Sequence, residues 1–319
     1  MKTNFSGGRN KSMPAIESSK QLFLSAGLPL LKAEFSAELP FIAAGLAGRG
    51  SECFGFDDEI SRDHDFVPGF ILWINDASDR EFGFRLLRAY SQMQKLFPEN
   101  SSASSILGDS ERGVILISDF FRRHLGFPGE PECWQQWLYT PEYAFAEVVN
   151  GEIFFDGSGE ISAIRHAILH NMPEDVRIKK LSARAIAMAQ SGQYNFARCL
   201  KHREPGAAML ALAEFVRNTI SMVFLLNRRF APYSKWQFRA LRQLPRLPFL
   251  ADMLEKLLRC DLSDQEKSHL IEEISSHIAA ELADQQLCST TDCYLESHAL
   301  ELTRSIRNRE IRALHPMEG

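Results

Sequence analysis

Apolar residues fall in short runs between turn residues as far as about residue 160, and beyond it they recur every three to four positions. Phe41–Ala47 is a nearly continuous apolar run ending in glycines, which predicts a buried strand. Phe66–Ile74 predicts a second strand, interrupted by Pro68 and Gly69, and Val114–Ile117 and Ile153–Phe155 predict two more. Asp79–Phe97 places Phe82, Leu86, Leu87, Tyr90, Met93 and Leu96 on one helical face, with Pro98 as its stop. Glu99–Ser110, rich in serine, reads as a loop. Past residue 160 the helical period holds over Ile161–Leu169, Val176–Gln190, Ala207–Asn227, Leu250–Arg259, Asp264–Ala283 and Tyr294–Ile306. The pattern predicts an α+β protein: a small mixed β-sheet domain over residues 1–160, then an α-helical bundle over 161–319.

Composition is compatible with that division. The 319 residues suffice for two domains of about 150 residues each, and 23 phenylalanines supply a sizeable core. Lys and Arg number 36 against 41 Asp and Glu, a formal net charge of −5, which disfavours non-specific binding to long nucleic acids. The most apolar stretch, Ala207–Leu226, is interrupted by Glu214, Arg217 and Asn218, so the expectation is a buried helix and no membrane partner. Met1–Lys20 is polar and lacks the apolar centre of a secretory leader. Six scattered cysteines then read as reduced thiols of a cytoplasmic protein.

The chemistry-bearing segment is Gly45–Phe66, in which a strand runs into Gly48-Arg49-Gly50-Ser51 and Asp63-His64-Asp65 follows. Glycines let backbone N–H groups approach a phosphate closely, and Ser51 adds a hydroxyl donor. Along an extended strand, Asp63 and Asp65 share a face while His64 points the other way, as a structural residue. Two carboxylates facing one space repel unless a divalent cation neutralises both, and Mg²⁺ is commonly held by such carboxylates together with substrate phosphates. A phosphate loop beside a metal pair predicts phosphoryl or nucleotidyl transfer.

Gly50-Ser51 with Asp63-His64-Asp65 resembles the signature of the nucleotidyltransferase superfamily that includes DNA polymerase β and the antibiotic (aminoglycoside) nucleotidyltransferases. The longer string, with Gly55, Asp57-Asp58, Ser61 and Phe66, looks like an uncharacterised bacterial family within it. Leu226–Trp236 is similar to an Arg-Tyr/Phe-x-Pro-x-x-Lys-Trp segment of the antibiotic adenylyltransferases, and Phe155–Gly159 is similar to a strand-Asp-x-x-Gly turn of the same relatives. The resemblance implies an enzyme that moves a nucleoside monophosphate from an NTP, ATP first among them, to an acceptor hydroxyl whose class the sequence leaves open. Asp63 and Asp65 would be catalytic and hold Mg²⁺ or Mn²⁺, and Gly50, Ser51 and Lys235 would bind the nucleotide. Active members carry a third carboxylate on a neighbouring strand. Gly113–Ser118 has none, which leaves Asp156, Asp119 and Asp58 as candidates and a non-catalytic nucleotide-binding or protein-interaction member as the alternative.

The remaining patterns have ordinary readings. Gly45-x-x-Gly48-x-Gly50 lacks the Walker lysine and no dinucleotide-type βαβ pattern follows. His166 and His170 have metal-site spacing on a helix but not the adjacent glutamate, and Cys288, Cys293 and His298 do not complete a zinc set. Phe215, Ile220, Val223, Phe224 and Leu226 read as core packing.

Overall fold

Four apolar runs form one sheet in the computed structural model, which describes residues 13–57, 69–94 and 112–319. The strands are β1 (Ala43–Leu46), β2 (Ile71–Ile74), β3 (Gly113–Leu116) and β4 (Glu152–Asp156), in the order β3-β2-β1-β4. β1 pairs antiparallel with β2 and β4, and β2 pairs parallel with β3. In chain order the main helices are α1 (Ala15–Leu22), α2 (Leu28–Glu34), α3 (Phe84–Gln94), α4 (Ile117–Leu125), α5 (Trp134–Tyr139) and α6 (Glu142–Val149). They continue as α7 (Glu160–His170), α8 (Glu174–Met188), α9 (Pro205–Leu226), α10 (Leu250–Leu257), α11 (Asp264–Asp284) and α12 (Leu295–Ser305). The fold is α+β, as the pattern predicts, with a small mixed sheet and a helical part.

Differences from the sequence pattern have local causes. Phe41 closes a 3₁₀ turn at Leu39–Phe41 and precedes the strand, and Ile117 opens α4 where a strand end is expected. α3 begins through a π-helical turn, Asp79–Gly83, which buries Phe82, Leu86, Tyr90 and Met93 but leaves Leu87 exposed. Leu86 and Leu87 lie about 100° apart around a helix, and the narrow inward face takes only the first. Leu96 and the loop expected over 99–110 lie outside the described residues.

The chain clusters into two compact units, Met1–Gly129 with Glu147–His166 and Glu130–Ala146 with Ala167–Gly319, where the sequence pattern draws a single boundary at residue 160. In the first unit, Ala44, Leu72 and Ile74 share a core with Phe23, Leu31, Phe35, Phe70, Leu86, Tyr90 and Met93. Trp73 points to the other side and meets the ring of Phe120 in α4 edge-on, centroids 5.4 Å apart. Burial of both faces explains why β1 and β2 read as unbroken apolar runs without alternation. Gly45 sits where the β1–β4 register shifts, and a Cβ there would lie 2.5 Å from the Glu152 carbonyl oxygen.

The second unit is built around α8, which packs on α9 and α12. Its apolar residues Val176, Leu181 and Met188 are fully buried, and so is the expected α9 stripe of Phe215, Ile220, Val223, Phe224 and Leu226. α9 is long and apolar enough to cross a membrane by length and composition, but 61% of its most apolar window is buried within the protein. Lys179 is buried as well and donates to the His315 and Pro316 carbonyls, while burial lowers the Lys180 pKa against the opposing pull of Glu142. α11 opens with a capping box between Ser263 and Glu266.

Close approach of α9 depends on Gly192, in the π-helical turn Ala189–Phe196 that follows α8, where an added Cβ would lie 2.3 Å from the Phe215 ring. Gly192→Ala is expected to lower stability by about 1–3 kcal/mol in urea unfolding, the usual cost of overpacking. Gly206→Ala, at the start of α9 where a Cβ meets nothing, should be neutral or stabilising in the same assay.

Candidate functional site

The glycine segment leaves the sheet at Leu46 and turns at Gly48, whose φ of 131° is open to glycine and strained for other residues. One side chain fixes this turn. The Gly48 N–H donates to Asn150 Oδ1 at 3.0 Å, and Asn150 Nδ2 donates to the Gly48 carbonyl at 2.7 Å. The next residue, Gly151, donates its N–H to the Cys53 carbonyl at 2.7 Å, so the Asn150-Gly151 turn grips both ends of the loop. Gly151 has a φ of 66°, and a Cβ there would lie 1.9 Å from the Leu46 carbonyl oxygen, so only glycine fits.

Arg165 of α7 holds that turn in place. Its Nη2 donates to the carbonyls of Val149 and Asn150, while its Nη1, also buried, has no partner among the described residues. Burial pushes the Arg165 pKa down to about 10, and interaction with Cys53 works against that fall. Even so shifted, the guanidinium stays charged at neutral pH and gives strong, charge-assisted bonds in a water-poor setting.

With its rear secured, the loop leaves the N–H groups of Gly50 and Ser51 and the Ser51 hydroxyl unengaged among the described residues. Ser51–Phe54 then forms a 3₁₀ turn closed by Gly55 in the left-handed region. Among the described residues, the nearby cations are each paired with a carboxylate. Arg49 lies 3.5 Å from Glu147, which also meets buried His124 at 2.9 Å, and Arg112 donates to Glu52 at 3.2 Å. An anion at this loop would therefore be held mainly by backbone N–H groups and the hydroxyl, the donor set of a phosphate-binding nest. Glu52 reaches back over Gly50, its carboxylate crossing the space a Gly50 Cβ would fill.

Strand directions decide which other groups share this rim. β1 runs into the loop, so the N-terminal ends of β2, β3 and β4 lie alongside, and with them Arg112 and Glu152. Asp156 is opposite Ala43, at the far end of β1, and Asp119 lies in α4 beyond Leu116, at that same far rim. Strands of this length separate the rims by roughly 10 Å. The Asp156 carboxylate accepts the N–H groups of Gly159 and Ser162 at 2.9 and 3.0 Å, and Asp119 pairs with Arg122 within its helix. The structure thus brings neither to Gly50 and Ser51.

Asp58, Asp63 and Asp65 lie outside the described residues, and Asp57 accepts the Ala15 N–H at 3.0 Å. Among the described residues no group of three His, Cys, Asp or Glu side chains is placed to hold a metal ion, His166 with His170 and Cys288 with Cys293 and His298 included. His298 bonds the Asp292 carbonyl at 2.8 Å.

Lys235 belongs to the helical unit. Ser234–Trp236 forms a 3₁₀ turn that leads into the short helix Gln237–Leu241, and Lys235 Nζ lies 4.9 Å from the centroid of the buried Trp236 ring. Arg239 stacks on the same indole at 5.8 Å. The indole holds both cations by cation–π attraction while they remain exposed or nearly so.

Asn150, Arg165 and the Glu52–Arg112 pair were not singled out from sequence. The available signal was Asn150-Gly151, a turn pair between an apolar helix and β4.

Residues 137–237 match the family model described as "Domain of unknown function (DUF4037)". A search of the curated proteins finds no match. Among solved structures, the chain is similar to the crystal structure of a nucleotidyltransferase-like protein from Exiguobacterium sibiricum 255-15. The alignment covers 88% of this chain and 80% of that one, at 12% identity and a TM-score of 0.37.

Asn150→Ala removes both bonds to Gly48 and leaves a backbone donor unpaired. It is expected to cost about 1–3 kcal/mol in urea unfolding and to speed amide exchange at Gly48 and Gly151 before that of the β1–β2 ladder. Unchanged exchange at those two amides would show that the loop is fixed by something else.

Proposed function

We propose that the protein is a metal-dependent nucleotidyltransferase, acting in the cytoplasm, that moves a nucleoside monophosphate from an NTP to an acceptor hydroxyl. The observation that carries this reading is the Gly48–Ser51 loop. It is fixed from behind by Asn150, it leaves the Gly50 and Ser51 donors without a described partner, and the Asp63-His64-Asp65 string follows it in sequence. A loop fixed before the ligand arrives loses little conformational freedom on binding, which favours capture of a multiply charged phosphate chain.

In this reading Gly50 and Ser51 hold the terminal phosphates and Asp63 and Asp65 hold Mg²⁺ or Mn²⁺. When bound, the ion supplies charge neutralisation at the reacting phosphate. Lys235 contacts the triphosphate, on the strength of the resemblance of Leu226–Trp236 to the antibiotic adenylyltransferases. ATP is the first nucleotide to test.

The placement of Asp119 and Asp156 favours a second reading, in which the protein binds nucleotide without turning it over. β3 carries no acid, and both aspartates lie at the far rim with their carboxylates engaged. Pyrophosphate release from each NTP with Mg²⁺ or Mn²⁺, measured beside binding, separates the two. Turnover selects the transferase, and metal-dependent binding without turnover across an acceptor panel selects the binder. Absence of both would overturn the two together.

Asp63→Asn and Asp65→Asn are each expected to lower pyrophosphate release by roughly 100-fold or more, a typical loss when transition-state charge stabilisation is removed. The metal-free melting temperature should hold or rise, because one member of a repelling pair is gone. In the wild type, NTP with metal at a hundredfold excess over Kd should add about 2.7 kcal/mol of stability. Lys235→Ala should weaken NTP more than it weakens the bare nucleoside. Equal losses would remove Lys235 from the phosphate site.

A further inference from the structure

A cavity of about 280 Å³ lies in the helical unit, lined by the ends of α7 and α9, the start of the segment after α9, and Pro245. Its composition is divided. Leu169, Met172, Leu225, Phe230 and Pro245 form an apolar wall, while His170, Arg177, Asn227, Arg228 and Arg229 line the remainder.

The charge balance there is incomplete. Arg177, almost wholly buried, donates through Nε and Nη2 to Glu174, and Arg228 Nη1 donates to the same carboxylate at 2.9 Å. Burial works to raise the Glu174 pKa, and the two guanidinium groups overcome it, so its carboxyl is held below the usual range. One carboxylate thus serves two guanidinium groups, and Arg229 pairs with nothing among the described residues. Neighbouring charges do not close the gap. Arg246 is matched by Glu281 and Asp284, and Asp175 spends its carboxylate on the N–H groups of Arg307 and Asn308. Three guanidinium charges against one carboxylate leave a surplus of two positive charges at the cavity.

The walls are fixed, and at some conformational cost. Asn227 donates to the Arg246 carbonyl and accepts the Arg246 N–H, both at 3.0 Å, which ties the chain around Pro245 to the end of α9. Arg228 and Leu247, on the two tied segments, have φ values of 53° and 57°, a conformation that non-glycine residues adopt at a cost and that concentrates at functional sites.

We propose that this cavity binds a small organic phosphomonoester, with its phosphate on Arg229 and the Arg177–Arg228 pair and its one- or two-ring body against Phe230, Met172 and Leu225. A phosphomonoester carries close to two negative charges at neutral pH, which matches the surplus, and guanidinium forks bind its oxygens in pairs. The volume lies near the lower bound of ordinary ligand pockets, which suits a ligand of that size. The inference does not rest on the transferase reading, because it invokes neither a metal ion nor Asp63 and Asp65.

Phenyl phosphate is the probe, titrated calorimetrically into the full-length protein with EDTA present, beside inorganic phosphate, benzoate and benzyl alcohol. Phenyl phosphate is expected to bind at least tenfold more tightly than any of the other three. Arg229→Ala should weaken it at least tenfold and leave the melting temperature of the free protein unchanged, because Arg229 makes no pair to lose. Arg229→Lys should recover part of the loss, and Asp63→Asn should have no effect. Four results would overturn the proposal: no phenyl phosphate binding to the wild type at millimolar concentration, inorganic phosphate or benzoate binding as tightly, full binding by Arg229→Ala, or loss in Asp63→Asn. The last would place the probe in the proposed nucleotide site instead.

Discussion

The geometry of the glycine loop depends on a buried guanidinium. Arg165 donates to two adjacent carbonyls, those carbonyls position the Asn150 amide, and the amide takes both backbone groups of Gly48. Each step satisfies a backbone group that would otherwise be buried at a cost of about 1–3 kcal/mol. The loop has no regular ladder of its own, so this borrowed bonding stands in for secondary structure. The same constraint explains two glycines. Gly151 accommodates the close crossing over Leu46, and Gly48 takes up the turn that lets Asn150 bond both of its backbone groups.

The bonds that fix the loop leave part of its donor set unengaged among the described residues. Among the described residues, Asn150 takes both backbone groups of Gly48 and the Gly151 N–H takes the Cys53 carbonyl, while the Gly50 and Ser51 donors have no partner. Local cations do not enforce that choice, since Arg49 and Arg112 are already matched by Glu147 and Glu52. A balanced rim does not attract anions indiscriminately. It would favour a ligand whose oxygens fit the donors, which is selection by geometry more than by charge. The helical unit uses the opposite arrangement around Arg229, where positive charge exceeds negative and shape is set by an apolar wall.

The elements were legible because period and burial agree. The β1 and β2 runs are apolar throughout because both of their faces are covered, and the helices after residue 160 keep their stripes because α8 and α9 are buried along most of their length. Errors occur where one residue's fate depends on a neighbour's geometry. Leu87 has the same chemistry as Leu86 but lies outside the narrow inward face once a π turn starts the helix. Strand direction was equally hidden. Asp119 and Asp156 follow strands in sequence, as a third carboxylate should, yet the pairing of β1 with β4 and of β2 with β3 carries both to the rim away from Gly50. Hydrophobic spacing specifies that a strand exists and contains no information on which end meets which loop.

The clamp was illegible for a related reason. Asn150 is one of several polar residues in a turn-forming context, and nothing in its local sequence distinguishes a surface amide from one that bonds Gly48, 102 positions earlier in the chain. Arg165 lies on an amphipathic helix where an arginine ordinarily faces water, and only the fold shows it buried with two carbonyls to satisfy. Residues that carry chemistry tend to leave short motifs, because the ligand meets them together. Residues that hold the motif in shape are recruited from wherever the topology brings the chain back, here from the turn before β4 and from α7. A motif therefore identifies the surface a ligand would touch, and the rigidity that makes the surface selective must be read from long-range bonds.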